Sequence, residues 1–159
     1  MLIPKKAASV LEVRKATISD APGIHELEIS VFLPEDVFSI RRIRYLISSP
    51  TVFSLVAILD DGKIGANVIA LIRRFSVQSG RIYKISVAPS ISGNGWASCL
   101  LDEIEKNFKK QKIRKICAEV REGNIPSRNL FLKNGYSENG FLDAYYPNGE
   151  AGIKFWKKI

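Results

Sequence analysis

The stretch "SGNGWASCLL", residues 92–101, joins two glycines to the start of an amphipathic segment. Gly93 and Gly95 allow the backbone to approach a ligand closely, because glycine carries no Cβ. A helix that begins near Trp96 would face that ligand with the N–H groups of its first turn and with the positive end of its dipole. The stretch therefore predicts a pyrophosphate site built from backbone. A flexible loop that only caps the helix explains the two glycines equally well.

Two common nucleotide-binding motifs do not fit this stretch. A dinucleotide-binding fingerprint needs a third glycine where this chain has Ser98, and it follows its strand through a tight turn rather than through "APSIS". A nucleotide triphosphatase loop needs Lys-Ser or Lys-Thr after the glycines, which is absent here. We therefore exclude both classes of nucleotide site.

The periodicity of apolar residues predicts the elements that must position the glycines. Seven segments alternate or run apolar in the manner of strands, and four have helical spacing. The predicted strands are "LEVRKAT", "TVFSLVAIL", "KIGANVIALI", "RIYKISV", "KICAEV" and two segments near "YSENGFL" and "AGIKFW". The predicted helices run from Asp20 as N-cap to about Leu33, from Ser39 to Ser48, from Trp96 to Lys110, and for a short distance after Asn124.

The connections between these elements predict a mixed sheet. A helix separates "RIYKISV" from "KICAEV", so these two strands should be parallel. The loop "DDGK" should join two antiparallel strands as a hairpin. The fold class is therefore α/β. The apolar residues expected to face the core are Ile24, Leu27 and Val31 on the first helix, Ile40, Ile43 and Ile47 on the second, and Leu100, Leu101, Ile104 and Phe108 on the third.

Length and composition fit one domain spanning residues 1–159, with residues 1–10 as a short leader. The net charge of +8 would attract nucleic acid, an anionic membrane or a phosphate-rich ligand. No window approaches the roughly 20 apolar residues of a membrane span, so we predict a cytoplasmic protein that binds no membrane. Cys99, Cys117 and the lone His25 lack metal-ligand or disulfide spacing. We predict no metal site and two buried, reduced thiols.

The glycine segment with its preceding strand, "ISVAPSISGNGWASCLL", resembles the acyl-CoA signature of the GNAT superfamily of N-acetyltransferases. In that signature a Gln or Arg, a Gly and a Gly or Ala open the helix, and the matching positions here are Ser92, Gly95 and Ala97. The two small residues match. Ser92 departs from the pattern, which removes side-chain help to the pyrophosphate and leaves the backbone site intact.

The later part of the chain, from about Ile82 to Trp156, resembles more narrowly the ribosomal-protein-alanine N-acetyltransferase (RimI-like) branch. The matching motifs are Glu119-Val120-Arg121, Asn124, Gly135-Tyr136 and Tyr145-Tyr146. The resemblance implies a GNAT-type fold with a largely antiparallel mixed sheet of about seven strands, in which parallel strands 4 and 5 splay apart, and about four flanking helices.

The resemblance also implies the site. Acetyl-CoA would lie where strands 4 and 5 splay, with its pantetheine paired to the backbone like an added strand. Glu119 would be the general base that removes a proton from the incoming amine, although an ion pair with a neighbouring Lys or Arg is the structural alternative. Asn124 would contact the pantetheine or only cap the short helix. The implied cofactor contacts are Ile85, Ser86, Val87, Gly93, Asn94, Gly95, Trp96, Ala97, Ser98 and Asn124.

Phe131 stands where related enzymes have a Tyr that protonates the leaving CoA thiolate. General acid catalysis contributes about 10² to 10⁴-fold, so we expect a slower enzyme. Water, Ser127, Tyr145 or Tyr146 could replace the missing hydroxyl. The resemblance implies that Tyr145 and Tyr146 line a peptide groove, and an aromatic cluster in a hairpin is the structural alternative.

The resemblance implies an acetyl-CoA-dependent N-acetyltransferase that acts on the N-terminal α-amine of a protein such as a ribosomal protein. One alternative is acetylation of a small amine, polyamine or antibiotic. Another is a basic module without catalysis that binds RNA or the ribosome. We expect a monomer or homodimer, and contact with nucleic acid only through the ribosome.

Overall fold

The computed structural model of the chain describes residues 9–159. These residues form seven strands and four α-helices. The strands are β1 (Val10–Lys15), β2 (Val52–Leu59), β3 (Ile64–Arg74), β4 (Gln78–Val87), β5 (Lys115–Arg121), β6 (Ser137–Leu142) and β7 (Gly152–Lys158). The helices are α1 (Ala21–Val31), α2 (Ile40–Ser48), α3 (Trp96–Lys110) and α4 (Ile125–Lys133), and short 3₁₀ turns lie at Ile18–Asp20, Pro34–Asp36 and Pro89–Ile91.

The strands form one mixed sheet in the order β1-β2-β3-β4-β5-β7-β6, which confirms the predicted fold class. β4 and β5 are parallel, with Gly80 opposite Ile116 and Ile82 opposite Ala118. β4 continues to Val87 and β5 to Arg121, beyond the paired register. β1 with β2, β5 with β7 and β6 with β7 are antiparallel.

The chain divides into two compact units. The first includes the described residues up to Ile69 together with 84–100, and the second consists of 70–83 and 101–159. In the first unit, one buried core cluster consists of Ala16, Ala21, Ile24, Ile43 and Val56, with Phe38, Ile40, Ile47, Ile58 and Ile64 packed against it. α2 therefore faces inward as its spacing predicts, while Arg41, Arg42 and Arg44 stay exposed.

In the second unit, α3 packs closely on β4. An added Cβ on Gly80 would lie 2.4 Å from the ring of Phe108, so only glycine lets the strand and helix approach this far. The apolar stripe predicted for α3 is confirmed, because Leu101, Ile104 and Phe108 are all buried, as is Leu100 in the first unit.

Three expectations need correction or fall outside the described chain. Val31 is 37% exposed because α1 ends at this residue, so it does not face the core. Cys99 is exposed on α3, whereas Cys117 is buried on β5 as expected. Residues 1–8 of the predicted leader lie outside the described residues, and Val10 already begins β1. No helix within residues 9–159 has the length and apolar character needed to cross a membrane.

Candidate active site

Both glycines of the loop before α3 adopt a left-handed backbone conformation. Gly93 and Gly95 have φ values of +80° and +83°, which favour glycine, and an added Cβ at either residue would meet nothing within 4 Å. The carbonyl of Gly95 accepts a hydrogen bond of 3.0 Å from the N–H of Cys99, which begins the helix. The loop therefore presents open backbone in front of a helix N-terminus, a suitable arrangement for an anion.

The side chain of Asn94, which lies between the two glycines, turns back to the preceding 3₁₀ turn. Its amide donates a hydrogen bond of 3.1 Å to the carbonyl of Ile91. Asn94 thereby stabilises the shape of the loop. In the same unit Ser86 is buried, and Ile85 and Val87 are partly exposed along the last residues of β4.

Asn124 is the N-cap of α4 in the second unit. Its side-chain oxygen accepts a hydrogen bond of 3.2 Å from the N–H of Ser127, and Pro126 lies in the first turn of the helix, where its missing N–H costs nothing. The capping role considered from the sequence is therefore present in the structure.

Glu119 is held by two arginines. Nε of Arg81 donates a hydrogen bond of 2.9 Å to Oε2 of Glu119. Nη2 of Arg73 lies 3.8 Å from Oε1, an ion-pair contact that is too long for a hydrogen bond. The side chain of Glu119 is only 9% exposed. The structural alternative, an ion pair with neighbouring cations, is thus observed. Oε2 accepts a hydrogen bond, whereas Oε1 has a longer ion-pair contact.

The two tyrosines after β6 lie near this ion pair. Their rings meet edge to face with centroids 5.0 Å apart. Nη2 of Arg81 donates a long hydrogen bond of 3.5 Å to the hydroxyl of Tyr145, and the guanidinium of Arg121 stacks 4.1 Å from the ring of Tyr146. Tyr145 is 44% exposed. The aromatic cluster is therefore present, and it leaves one tyrosine accessible beside the arginine that binds Glu119.

Phe131 is buried in the second unit. Its ring meets Tyr136 edge to face at 5.1 Å and stacks on Phe155 at 5.6 Å. The hydroxyl of Tyr136 donates a hydrogen bond of 3.0 Å to Glu105. Burial, followed by the charge of Glu105, raises the pKa of the Tyr136 phenol, so this hydroxyl stays protonated. Phe131 thus belongs to a packed aromatic group supported by a buried polar contact.

A second buried ion pair, which the sequence did not suggest, lies in the first unit. Lys84 donates hydrogen bonds to Glu28 and to the carbonyl of Asp36, and burial lowers its pKa. The N–H of Phe38 donates a hydrogen bond of 2.8 Å to the same Glu28 oxygen. This group holds the segment between α1 and α2. Oε2 of Glu28 is buried and has no hydrogen-bond partner within the described residues.

A comparison with protein-family models identifies the family of this chain. A model described as the acetyltransferase (GNAT) family matches residues 22–136. The chain belongs to this family. It is therefore an acyltransferase of the GNAT type, as the two sequence motifs predicted.

Individual relatives place the GNAT chain among N-acetyltransferases. An uncharacterised N-acetyltransferase of Methanocaldococcus jannaschii is 25% identical over 147 residues, which are 92% of this chain and 90% of the relative. The ribosomal protein bS18-alanine N-acetyltransferase of Haemophilus influenzae is 30% identical over 71 residues, or 45% of this chain and 48% of the relative. The crystal structure of Arabidopsis thaliana NAA60 with acetyl-CoA superposes with a TM-score of 0.82 at 17% identity, covering 93% of this chain and 98% of that one. This last likeness concerns the fold.

Sequence reasoning did not identify Arg73 and Arg81 as the partners of Glu119. The parallel pairing of β4 and β5 was predictable, but the register that brings Arg81 beside Glu119 was not, because no turn fixes it. No three His, Cys, Asp or Glu side chains converge to hold a metal ion anywhere in the stretch from 9 to 159.

Proposed function

We propose that this GNAT acetyltransferase transfers the acetyl group of acetyl-CoA to the N-terminal α-amine of a protein, such as a ribosomal protein, with Glu119 as general base. The observation that carries the proposal is the unequal occupation of the Glu119 carboxylate. Oε2 accepts a hydrogen bond from Arg81, whereas Oε1 has, among residues 9–159, a single ion-pair contact, at 3.8 Å with Arg73. Oε1 can accordingly accept a hydrogen bond from the amine or from an intervening water.

The charges near Glu119 also support an α-amine. Cationic neighbours favour the neutral form of an amine, and only the neutral form is a nucleophile. An α-amine has an ordinary pKa near 8 and a lysine side chain one near 10.4. At neutral pH a much larger fraction of an α-amine is already neutral, so a single carboxylate is sufficient as its base. The relative from H. influenzae, named for the alanine of a ribosomal protein, agrees with this choice.

The loop around Gly93 and Gly95 would hold the pyrophosphate of acetyl-CoA, and the backbone of Ile85 and Val87 would pair with its pantetheine. The open space at both glycines fits a group that approaches the backbone, since an added Cβ meets nothing within 4 Å. Tyr145 and Tyr146 would contact the peptide. Acetyl-CoA supplies the activated acetyl group, and its thiolate, with an ordinary pKa near 8.5, leaves without help from Phe131.

The test is calorimetric titration of acetyl-CoA into the wild type and into the Gly95→Glu variant. The carboxylate would repel the phosphates and fill the approach to the backbone, so we expect binding about 100-fold weaker, or about 2.7 kcal/mol. Gly62→Glu is the matched control, because Gly62 has a φ of +82° and also has nothing within 4 Å. Strain and charge are then equal in the two variants, and only the position differs.

Two results would contradict the cofactor site. One is a folded wild type that does not bind acetyl-CoA, which would favour the alternative of a basic RNA-binding module. The other is equal loss of affinity in the Gly95→Glu and Gly62→Glu variants, which would assign the loss to charge or strain. Circular dichroism and thermal unfolding of both variants test whether each is folded.

A further inference from the structure

The charged groups around Glu119 leave a surplus of positive charge. Arg81 and Arg73 contact the carboxylate directly. Lys154 on β7 lies opposite Glu119 in the antiparallel register, so the two side chains share one face of the sheet with Cβ atoms about 5 Å apart. Two arginines therefore contact one carboxylate and a lysine shares its face of the sheet, so positive charge exceeds negative charge at this place.

Two acidic groups of the second unit, Glu150 and Glu138, pair with other arginines and so do not cancel this surplus. The carboxylate of Glu150 is bound by Arg121 at 2.9 Å, and it also accepts a hydrogen bond of 3.2 Å from the N–H of Gly123. Glu138 pairs with Arg128 at 3.0 Å. Arg73, by contrast, is 29% exposed and has a contact of only 3.8 Å with Glu119, so its guanidinium can accept another anion.

We propose that the acceptor is an acidic peptide N-terminus, with an Asp or Glu within its first three residues, and that Arg73 recognises this carboxylate. The inference rests on the proposed role of Glu119, because an amine at that carboxylate places the start of the acceptor beside Arg73. One residue of extended chain spans about 3.3–3.6 Å, so a side chain from the first three residues reaches the guanidinium. The same surplus charge repels a polyamine.

An ion pair at a partly exposed site contributes modestly to binding, but here more than one cation would attract the acidic side chain of the peptide. We therefore expect kcat/KM for a peptide beginning Ser-Asp to exceed that for the same peptide beginning Ser-Asn by about tenfold, which corresponds to about 1.4 kcal/mol. A peptide beginning Ser-Lys should be slower than both. High salt should reduce the differences, because screening weakens interactions at exposed charges.

The test compares these three peptides, with acetyl-CoA, in the wild type and in Arg73→Gln, Arg73→Lys and Lys106→Gln. In Arg73→Gln the ratio of the Asp to the Asn peptide should fall several-fold, whereas Arg73→Lys, which retains the charge, should preserve most of it. Lys106→Gln removes an equal charge from the exposed face of α3, where Lys106 pairs with Asp102. It should leave the ratio unchanged.

The outcomes separate this inference from the proposed function. Acetylation of all three peptides at equal rates, or faster acetylation of the Lys peptide or of spermidine, overturns the acidic acceptor while the acetyltransferase stands. A ratio that falls equally in Arg73→Gln and Lys106→Gln overturns the role of Arg73. Binding of acetyl-CoA without acetylation of any of these peptides overturns both the peptide acceptor and its acidic preference, but it retains the cofactor site.

Discussion

Glu105 and Glu119 are two shielded carboxylates of the second unit that differ in how their oxygens are occupied. Their side chains are 10% and 9% exposed. Oε1 of Glu105 accepts hydrogen bonds from Tyr136 at 3.0 Å and from Lys157 at 3.1 Å, and Oε2 accepts another from Lys157 at 3.0 Å. Glu119 has a hydrogen bond from Arg81 on one oxygen and a 3.8 Å contact with Arg73 on the other.

This difference teaches that burial alone does not identify a catalytic carboxylate. Glu105 has both oxygens bonded by groups on other elements, so it joins α3 to β7 and to the residue before β6. Glu119 retains an oxygen that can accept a new hydrogen bond. We therefore assign a structural role to Glu105 and propose a chemical one for Glu119, and the two assignments can be tested separately.

Glu119→Gln should have the largest effect. The amide keeps an oxygen for Arg81 but cannot take a proton, so kcat should fall by about 10² to 10⁴-fold, with a change in stability of about 1 kcal/mol. The measurement is single-turnover acetylation of a peptide, together with urea unfolding of the same variant.

Glu138→Gln is the control for this prediction. It removes an exposed carboxylate that pairs with Arg128 at 3.0 Å, and its rate should stay within about twofold of the wild type. If Glu119→Gln retained the wild-type rate, another group would be the base. The comparison with Glu105 would then no longer assign a chemical role to Glu119.

Glu105→Ala should show the opposite pattern. It leaves the ammonium of Lys157 and the buried hydroxyl of Tyr136 without their acceptor, so the free energy of unfolding should fall by about 3 kcal/mol. Below its unfolding temperature the variant should keep a rate near that of the wild type. Urea unfolding followed by fluorescence measures the first quantity, and the acetylation assay the second.

Glu103→Ala is the matched control on the same helix. Glu103 is 48% exposed and forms an ion pair with Lys106 at 3.2 Å. Its loss should change the free energy of unfolding by no more than about 0.5 kcal/mol. Equal destabilisation by the two variants would show that the loss of any carboxylate from α3, and not the loss of the bonded network, accounts for the effect of Glu105.

The sequence predicted most of the fold because the local signals agreed with one another. The asparagine before α4 predicted a cap that the structure shows, and the helix between β4 and β5 predicted their parallel pairing. The position of β7 between β5 and β6 was not predictable. It depends on a long-range choice of sheet edge that no local pattern encodes.

The candidate site was predictable in part. The two glycines were singled out because they lack a side chain just before a helix, and both have a positive φ in the structure. Arg73 and Arg81 were not, because their contacts with Glu119 depend on the register of three strands. The exposure of Cys99 was missed for a simpler reason: helical spacing places it beside the apolar stripe of α3, at a position where cysteine burial is only a tendency.

Substitution of Asp20 should have the smallest effect. It tests whether hydrogen bonds to both carboxylate oxygens are enough to give a large contribution to the free energy of unfolding. Like Glu105, Asp20 has both oxygens bonded: Arg14 donates to each, at 2.9 and 2.8 Å, and the N–H of Thr17 donates at 2.7 Å. Arg14 is 35% exposed, compared with 26% for Lys157. Its exposure should limit the ion pair to about 1 kcal/mol or less.

The hydrogen bond from Arg14 lowers the pKa of Asp20 below its ordinary value of 3.8. The contribution of ionised Asp20 to the free energy of unfolding is therefore complete above pH 3.8. It is lost as the pH falls through the lower pKa of the folded state. Urea unfolding of the wild type and of Asp20→Asn at about pH 7 and about pH 3 measures this difference. The difference in stability between the two proteins should narrow at the lower pH. Suppose that at neutral pH Asp20→Asn lost as much unfolding free energy as Glu105→Ala. The contribution of each carboxylate would then depend on its hydrogen bonds and not on the burial of its partner.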